Sequence, residues 1–458
     1  MDKENKKVKL TANILFSGIG CQERGFQDSG LFDLEVLNTS EINKEAMLSY
    51  AAIHCGLTNE MVETYSEYPS RGEMAQRLTD INLGYNPDKD KYFDWFKLAE
   101  RKSKDIEKYR LACNLTNNLG DISKINELTY ADFWTVSFCC QDISIAGKMR
   151  GLKIDSKTRS SLLWENIRLL KTAKENDSLP KYIMFENVKN LVSKRFIDDF
   201  NSLLEVLNEL GFNSYWSVIN GKNCGVPQNR ERVFVVSIRK DIDNGKYTFP
   251  KPFDNGVRLK DVLEDTVDEK YYLSEDVQKR FKFTDKTFTK NVVGTTASLT
   301  ASDYKQPKQI LCGIDKSTKE TKEIEFANCI TAREDRGVSN RKAEGTAVLE
   351  QIGQPFGHRP PTKGFSKCLR AEANETGVVE NFRIRKLTPR ECYKLMGLTF
   401  DDCDKARAIG VADSHLYKQA GNGIITNCCE LLAEHLYKAQ YDDTYVCADE
   451  NFTKPQVG

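Results

Sequence analysis

A cysteine nucleophile is the first chemistry that the sequence suggests. The segment Phe138-Cys139-Cys140-Gln141-Asp142-Ile143-Ser144 follows an apolar stretch, Phe133 to Val136, that predicts a buried strand. Open α/β sheets bind their ligands at the carboxyl ends of their strands, so a thiol in this segment is well placed for chemistry. Nearby amides and cations can hold such a thiol as the thiolate, which is the nucleophilic form. Taken alone, the segment is more typical of a pair of buried structural cysteines.

Two later segments add an acid and a row of one glutamine and two arginines. Glu186 ends the next predicted strand among apolar neighbours, a setting in which burial raises the pKa of a carboxyl and lets it donate a proton. The adjoining Glu-Asn pair is equally compatible with a helix cap. Gln228, Arg230 and Arg232 occupy alternate positions before a strand, so they share one face that suits an anionic or planar ligand. Surface ion pairs are the simpler explanation for such arginines.

These side chains need a sheet to position them, and the first 240 residues predict one. Residues 11–20 indicate a buried strand that runs into a glycine turn, with a helix from Gln22. Further strands are predicted at 34–37, 133–138, 182–185, 214–219 and 233–238, with helices at 162–174 and 198–210. The alternation favours an α/β fold with a mostly parallel, doubly wound sheet.

The glycine turn is typical of a nucleotide-binding sheet but lacks the dinucleotide fingerprint. Gly18 and Gly20 form only G-x-G, and Cys21 follows them. Glu41 comes about twenty positions after the turn, the spacing at which a carboxylate reaches a ribose hydroxyl. A nicotinamide enzyme is therefore not supported.

The character of the chain changes twice along its length. Residues 60–118 are charge-rich, with a helix predicted around 94–111, and we interpret them as an insertion. After Arg239 come short strands, turns and basic clusters, with similar segments at 296–301, 327–332 and 366–371 that indicate one irregular β-rich module. Helical character returns from Leu387 to Tyr437.

Composition bounds the remaining function classes. The 458 residues allow two or three domains, and 67 Lys plus Arg balance 67 Asp plus Glu, so a polyanion site would be a local patch. We expect no membrane span and, by default, a cytosolic location. Fourteen cysteines and four histidines lack the spacing of zinc ligands, so we expect reduced, buried cysteines and no metal.

Taken together and in order, these segments resemble the DNA cytosine-5 methyltransferases over nearly the whole chain. The motifs that carry the resemblance are Phe16-Ser17-Gly18-Ile19-Gly20, Cys140-Gln141, Glu186-Asn187-Val188, Gln228-x-Arg230-x-Arg232, Arg385-Lys386-Leu387-Thr388-Pro389-Arg390-Glu391 and Gly421-Asn422-Gly423. The resemblance implies a Rossmann-like catalytic and cofactor-binding domain at 1–239, including the 60–118 insertion. It also implies a smaller, β-rich target recognition domain at 240–382 and a segment at 383–458 that returns to the catalytic domain.

The resemblance implies a covalent mechanism that the residues could support. Cys140 would add as a thiolate to carbon 6 of a cytosine flipped out of duplex DNA, which activates carbon 5 toward the methyl group of S-adenosylmethionine. Glu186 would act as general acid at ring nitrogen 3. Arg230, with Arg232 as an additional candidate, would hold the base carbonyl and order the cysteine loop.

The family's motifs also assign binding residues. The cofactor positions are Phe16, Gly18, Ile19, Gly20, Glu41 at the ribose, Ile42, Asp121 and Ile122 at the adenine, Leu162 and Asn422. The DNA positions are Gln141, Ser144, Lys148 and Arg150. In the recognition region, Arg333 and Arg336 are candidates for guanine or phosphate contacts, although a solvated surface arginine is the simpler interpretation of each. Gly147 and Gly151 flank Lys148 and Arg150 as in a loop that closes over DNA, although a plain surface turn has the same composition.

Two departures from the family pattern concern cysteines. Cys139 stands where the family usually has proline, and Cys21 replaces a frequent glycine. Since Cys140 keeps the Gln-x-x-Ser that follows the nucleophile, we assign the nucleophile to Cys140 and not to Cys139.

Two rival functions stay open on the sequence alone. One is the related RNA methyltransferase branch, which has a smaller recognition region than the roughly 140 residues found here. The other is a catalytically silent DNA-binding regulator, which would not need to keep both a nucleophile and an acid. We expect a bacterial or phage enzyme, monomeric and nucleoid-associated, with a companion restriction endonuclease as a possible partner.

Overall fold

The computed structural model describes most of the chain. It does not describe residues 138–161, which include Cys140, or most of residues 275–381 in the predicted recognition region. The described residues are 7–86, 89–137, 162–274, 282–283, 309–315, 320–323, 326–328, 344–351 and 382–447.

A six-stranded sheet forms the centre of the molecule. The strands of the first 239 residues are β1 (Val8–Leu15), β2 (Phe32–Ser40), β3 (Phe133–Ser137), β4 (Tyr182–Val188), β5 (Phe212–Asn220), β6 (Gln228–Asn229) and β7 (Glu231–Arg239). All but β6 join this sheet, in the order β2-β1-β3-β4-β7-β5. The first four in that order are parallel, whereas β7 is antiparallel to both β4 and β5. The predicted α/β class and Rossmann-like sheet are confirmed.

Helices cover both faces of this sheet, as in a doubly wound fold. The helices before residue 211 are α1 (Cys21–Asp28), α2 (Lys44–His54), α3 (Asn59–Thr64), α4 (Arg71–Asp80), α5 (Trp95–Ala99), α6 (Asp105–Leu115), α7 (Leu162–Glu175) and α8 (Ile197–Leu210). Neighbouring strand residues face opposite ways: Trp134 and Ile183 pack in one apolar core with α7 and α8, and Phe133 and Met184 pack in the other with α1 and α2.

The 60–118 segment is integrated into the second of these cores. Val62, Met74, Trp95, Ile106 and Leu111 come from its four helices, and each is buried in the core that contains β1 and β2. The single helix predicted around 94–111 is instead two helices, α5 and α6, with a break between them.

A second sheet of five strands lies in the later part of the chain. Its strands are β8 (Lys282–Phe283), β9 (Gln309–Asp315), β10 (Glu320–Glu323), β12 (Glu344–Gln351) and β13 (Phe382–Lys386), in the order β13-β12-β9-β10-β8. A further strand, β11 (Ala327–Asn328), pairs in parallel with β6. Of the three similar segments noted in the sequence, those at 296–301 and 366–371 lie outside the described residues. The domain boundaries stay predictions.

The chain then returns to the first sheet as four helices: α9 (Pro389–Lys394), α10 (Phe400–Ala408), α11 (Asp413–Asn422) and α12 (Thr426–Tyr441). The rings of Tyr437 and Tyr441 lie edge-on to Phe32 of β2, with ring centroids 5.9 and 6.1 Å away. The Tyr441 hydroxyl is 2.8 Å from that of Tyr182 in β4. Helical character from Leu387 onward is thus confirmed.

A buried ion pair explains the motif at 385–391. The Arg385 guanidinium makes two hydrogen bonds of 2.9 Å to the Glu391 carboxylate, and both side chains are 0% exposed. The same carboxylate accepts the backbone N–H of Thr388, which caps α9. This motif fixes the junction between β13 and α9.

The expected burial of the cysteines is confirmed for most of those that the structure describes. Nine cysteines have described side chains, and seven of these side chains are buried. Across the described ranges, none of the helices combines the length and the apolar character needed to cross a membrane.

Candidate active site

The predicted site segments meet at one edge of the central sheet, where the parallel strands end. Leu15, the last residue of β1, pairs with Ser40 of β2, and Ile14 pairs with Thr135 of β3. Ser137, at the end of β3, pairs with Glu186 of β4. The glycine turn and Glu41 therefore leave the sheet at the edge where Glu186 lies and where Ser137 ends its strand. Ser137 is the last described residue before Cys140.

An acid and an arginine form an ion pair at this edge. The Arg232 Nε lies 3.1 Å from the Glu186 Oε1, with the two side chains 16% and 12% exposed. Burial raises the pKa of the Glu186 carboxyl above its usual range, and the charges of Arg232 and Arg230 oppose that rise. The carboxyl thus favours its neutral, proton-donating form more than a free glutamic acid does.

The predicted alternation of the arginine motif is confirmed, but its members have different partners. Gln228 and Arg230 are buried and Arg232 is half-buried, whereas Asn229 and Glu231 between them are exposed. The Gln228 amide donates to the Leu395 carbonyl at 2.8 Å.

The Arg230 guanidinium connects this motif to the Gly-Asn-Gly motif. Its Nη2 donates to the Gly421 carbonyl at 3.0 Å and to the Gly423 carbonyl at 2.7 Å. Asn422, between these glycines, is exposed at the end of α11. Arg230 therefore holds the backbone on both sides of Asn422.

The first motif forms a tight turn with unusual backbone geometry. Phe16 adopts a φ of 54°, and Gly18 and Gly20 have φ values of 55° and 80°. A bulky aromatic residue rarely adopts the left-handed region, and such strain is found most often at functional sites. The buried Ile19 fixes the turn against the core.

Glu41 lies directly against this turn. Its Oε2 accepts the N–H of Gly18 at 3.0 Å, and its Oε1 accepts the N–H of Asn43 at 2.7 Å. Burial raises the pKa of the Glu41 carboxyl, and these two backbone donors oppose that rise. The sequence spacing of turn and acid thus corresponds to a direct contact.

Asp121 and Ile122 lie beside Glu41, across the end of β2. The Ser40 hydroxyl donates to the Gly120 carbonyl at 2.7 Å. Asp121 Oδ1 accepts the N–H of Ser123 at 2.9 Å and starts the short 3₁₀ turn Ile122–Lys124. Ile122 is buried, and Ile42 and Leu162 are half-buried.

This set of groups fits an adenosine-containing cofactor. The carboxylates of Glu41 and Asp121 can accept hydroxyl and amino donors. A Cβ added at Gly18 would meet nothing within 4 Å, so the turn offers open space where a ligand could approach its backbone. Glu41 and Asp121 would hold the nucleoside of the cofactor, and the Phe16–Gly20 turn would face the remaining part of the cofactor.

Several predicted site residues lie outside the described residues. They are the nucleophile candidate Cys140 with Cys139, the predicted DNA positions Gln141, Ser144, Lys148 and Arg150, and Arg333 and Arg336 in the predicted recognition region.

Two residues that the sequence analysis passed over help to build the site. The buried Asn118 amide accepts the N–H groups of Glu41 and Gly120 and donates to the Glu41 carbonyl at 2.9 Å. The His54 Nε2 lies 3.0 Å from the Ile19 carbonyl, beneath the glycine turn. Asn118 lies two residues before Gly120, and this position in the sequence could have pointed to it. Nothing in the sequence near His54 suggests that its side chain contacts Ile19.

Comparisons with known proteins agree with this arrangement. Residues 81–438 match the family model described as C-5 cytosine-specific DNA methylase. The type II methyltransferase M2.ScrFI of Lactococcus lactis subsp. cremoris is 34% identical over 429 residues, which cover 93% of this chain and 98% of that protein. The orphan methyltransferase M.SPBetaI of Bacillus phage SPbeta is 27% identical, with 93% and 97% covered.

Among solved structures, the Entamoeba histolytica methyltransferase EhMeth is similar with a TM-score of 0.50 and 15% identity. The match covers 94% of this chain and 98% of that one, and it speaks for the fold alone.

Proposed function

Because the chain belongs to the family of C-5 cytosine-specific DNA methylases, we propose that it transfers the methyl group of S-adenosylmethionine to carbon 5 of a cytosine within one short sequence of duplex DNA. The observation that carries the proposal is the Glu186–Arg232 pair. It lies at the sheet edge beside Ser137, the last described residue before the segment that contains Cys140.

The first step is addition of the Cys140 thiolate to carbon 6 of the cytosine. A sulfur–carbon bond forms and the electron pair of the 5,6 double bond moves toward carbon 5, which becomes nucleophilic. Glu186 donates a proton, or a strong hydrogen bond, to ring nitrogen 3 and so disperses the charge that builds up on the base. The raised pKa of its carboxyl favours this role.

S-adenosylmethionine supplies an electrophilic methyl group on its sulfonium. Carbon 5 would take up that methyl group as the methyl–sulfur bond breaks, which would leave S-adenosylhomocysteine as the product. Return of the nitrogen 3 proton to Glu186, loss of the carbon 5 proton to a base and then elimination of the Cys140 thiolate restore the aromatic base and the enzyme. We assign no residue as the base for that proton.

The two arginines divide the supporting work. Arg232 contacts Glu186 and, in our proposal, also holds the base carbonyl. Arg230 is engaged by the Gly421 and Gly423 carbonyls, so we propose it as the positioning residue for Asn422 at the cofactor. Glu41 would bind the ribose and Asp121 the adenine amino group, with the Phe16–Gly20 turn, Ile42, Ile122 and Leu162 around them.

The target atom is inaccessible inside a duplex, so the proposal includes flipping of the cytosine into the site. Lys148 and Arg150 would contact DNA as the loop closes, and residues 240–382 would select the sequence. We further propose a monomer acting on DNA in the cytoplasm of a bacterial or phage-infected cell. The 34% identical relative is named a type II methyltransferase, which supports proposing a companion endonuclease.

Methyl transfer to defined nucleic acids tests the proposal. The full chain is incubated with methyl-labelled S-adenosylmethionine and either mixed-sequence duplex DNA or total RNA, and modified cytosines are mapped at base resolution. We expect label in DNA only, at carbon 5, within one short motif. Label in RNA only would overturn the choice of substrate, and binding of cofactor and DNA without any label would indicate a silent regulator.

A further inference from the structure

The sequence assigns no role to the 60–118 segment. One turn of this segment reaches the edge of the central sheet where Glu41 and Asp121 lie. This turn, Ile81–Gly84, follows α4 and precedes α5, and we call it the 81–84 turn. The buried Trp95 indole donates to the Leu83 carbonyl at 2.7 Å and so holds the turn from its own segment.

Backbone hydrogen bonds connect the 81–84 turn to both segments proposed to bind adenosine. The Gly84 N–H donates to the Ile42 carbonyl at 2.7 Å, and the Asp121 N–H donates to the Ile81 carbonyl at 2.9 Å. The 81–84 turn therefore links Ile42, the residue that follows Glu41, to Asp121.

The contact at Gly120 is too close for any side chain. An added Cβ would lie 2.1 Å from the Ile81 carbonyl oxygen, and Gly120 has a φ of +74°. Glycine is required there on both counts, which shows that the 81–84 turn and the Gly120-Asp121 segment are built against each other.

Asn82 extends this contact to the Asp121 carboxylate. Its Nδ2 donates to Asp121 Oδ2 at 2.9 Å, while the N–H and hydroxyl of Ser123 donate to Oδ1 at 2.9 and 2.8 Å. Among the described residues, these donors leave Oδ2 with capacity for one more. Asn82 has a φ of 54°, in the left-handed region that asparagine tolerates.

We infer that the 81–84 turn is a wall of the adenosine site and that Asn82 is a positioning residue. It orients the Asp121 carboxylate so that the remaining acceptor position on Oδ2 meets the 6-amino group of adenine. The inference rests on the proposed function, in which Asp121 receives that amino group. It gives the 60–118 segment a task in recognising the adenine nucleoside.

Calorimetric titration of the full chain with two ligands tests this inference. The ligands are S-adenosylhomocysteine and S-inosylhomocysteine, which carries an oxygen in place of the 6-amino group. The variant is Asn82→Gly, because glycine accepts the left-handed backbone and removes only the amide. The matched control is Asn117→Gly, at an exposed asparagine of the same segment with a φ of 44°.

We expect Asn82→Gly to weaken binding of S-adenosylhomocysteine by about 10-fold or more, the loss typical of one hydrogen bond to a charged group. Binding of S-inosylhomocysteine should change by less than about twofold, since it lacks the donor that the oriented carboxylate receives. Asn82→Asp, which replaces the donor with a like charge, should weaken S-adenosylhomocysteine further. The KM for S-adenosylmethionine should rise in Asn82→Gly with little change in kcat.

Equal weakening of both ligands, or of neither, would overturn the inference and leave Asn82 with a purely structural role or none. An Asn117→Gly effect as large as that of Asn82→Gly would overturn it too, because it would reflect general loosening of the segment. Failure of the unmodified chain to bind S-adenosylhomocysteine would instead contradict the proposed function itself.

Discussion

Replacing Arg232 with methionine should move the pH dependence of methyl transfer upward. Arg232 lies 3.1 Å from the Glu186 carboxylate, and both side chains are largely buried. At an effective dielectric constant of about 20, unit charges at this distance attract by about 5 kcal/mol before desolvation is subtracted. Loss of such a partner raises a carboxyl pKa by about 1 to 3 units. Burial already raises the pKa of Glu186, and Arg232 is the largest influence opposing that rise.

The sign follows from the acid role of Glu186. The protonated carboxyl is the active form, so the single-turnover rate falls as the pH rises through the pKa of Glu186. In Arg232→Met that falling limb should lie about 1 to 3 pH units higher than in the parent enzyme. The maximal rate should fall as well, because Arg232 is proposed to hold the base carbonyl, and the position of the limb is therefore the informative quantity.

Single-turnover methyl transfer across a pH series measures this limb. The control is Lys189→Met, which removes a cation at the surface. The Lys189 Nζ lies 2.8 Å from the Glu231 Oε1, and the Lys189 side chain is 55% exposed. We expect its limb to stay at the parental pH. An Arg232→Met enzyme that loses rate with its falling limb at the parental pH would refute the acid role of Glu186.

Three further predictions concern other parts of the account. Cys140→Ala should abolish methyl transfer while gel-shift and calorimetric assays show DNA and cofactor binding retained, whereas Cys139→Ala should keep substantial activity; equal loss in both would contradict the choice of nucleophile. Glu41→Gln should weaken S-adenosylmethionine by about 10- to 100-fold in calorimetry without affecting DNA binding. In the parent enzyme, affinity should fall as the pH is lowered through the raised pKa of Glu41, since the carboxylate is the form that accepts the ribose hydroxyls; affinity independent of pH would argue against this contact. Arg385→Met should lower the free energy of unfolding in urea by about 3 to 5 kcal/mol by leaving Glu391 as an unpaired buried carboxylate, and adding Glu391→Gln should recover part of the loss; a stability equal to the parent's would contradict the buried pair.

The sequence predicts the central strands well because they are buried on both faces. Such strands read as continuous apolar runs, and β3 and β4 begin at their predicted residues. The edge strand β2 is longer than predicted, Phe32–Ser40 against 34–37, because its partly exposed side chains include Asp33 and Glu35. Polar residues at an edge obscure the pattern that marks a strand.

The 60–118 segment shows where sequence patterns fail. The segment is rich in charged residues, which obscure the apolar side chains that each of its helices sends into the core, such as Met74 and Trp95. The break between α5 and α6 depends on Arg71, whose guanidinium donates to the carbonyls of Ala99 and Ser103 at 3.3 and 2.9 Å. Residues about thirty positions apart form these hydrogen bonds, so the local sequence pattern does not predict the break between the two helices.

In the candidate active site, too, contacts between distant parts of the chain are not visible in the local sequence. The motifs predict which segments meet, because strand ends of a parallel sheet share one edge. They do not predict which arginine faces the acid, since Arg230 and Arg232 lie on one strand face. Which arginine pairs with Glu186 depends on Gly421 and Gly423, about 190 residues further along the chain. Their carbonyls accept hydrogen bonds from Arg230, and Arg232 forms the ion pair with Glu186.

Trapping the enzyme on duplex DNA that contains 5-fluorocytosine tests the central claim most directly. Fluorine at carbon 5 cannot leave as a proton does, so the adduct at carbon 6 should persist after methyl transfer. With S-adenosylmethionine present, we predict a covalent protein–DNA complex in denaturing gels and a digest in which the modified base is attached to Cys140. Attachment to Cys139, or methylation of ordinary DNA by an enzyme that forms no complex with the fluorinated duplex, would contradict the account.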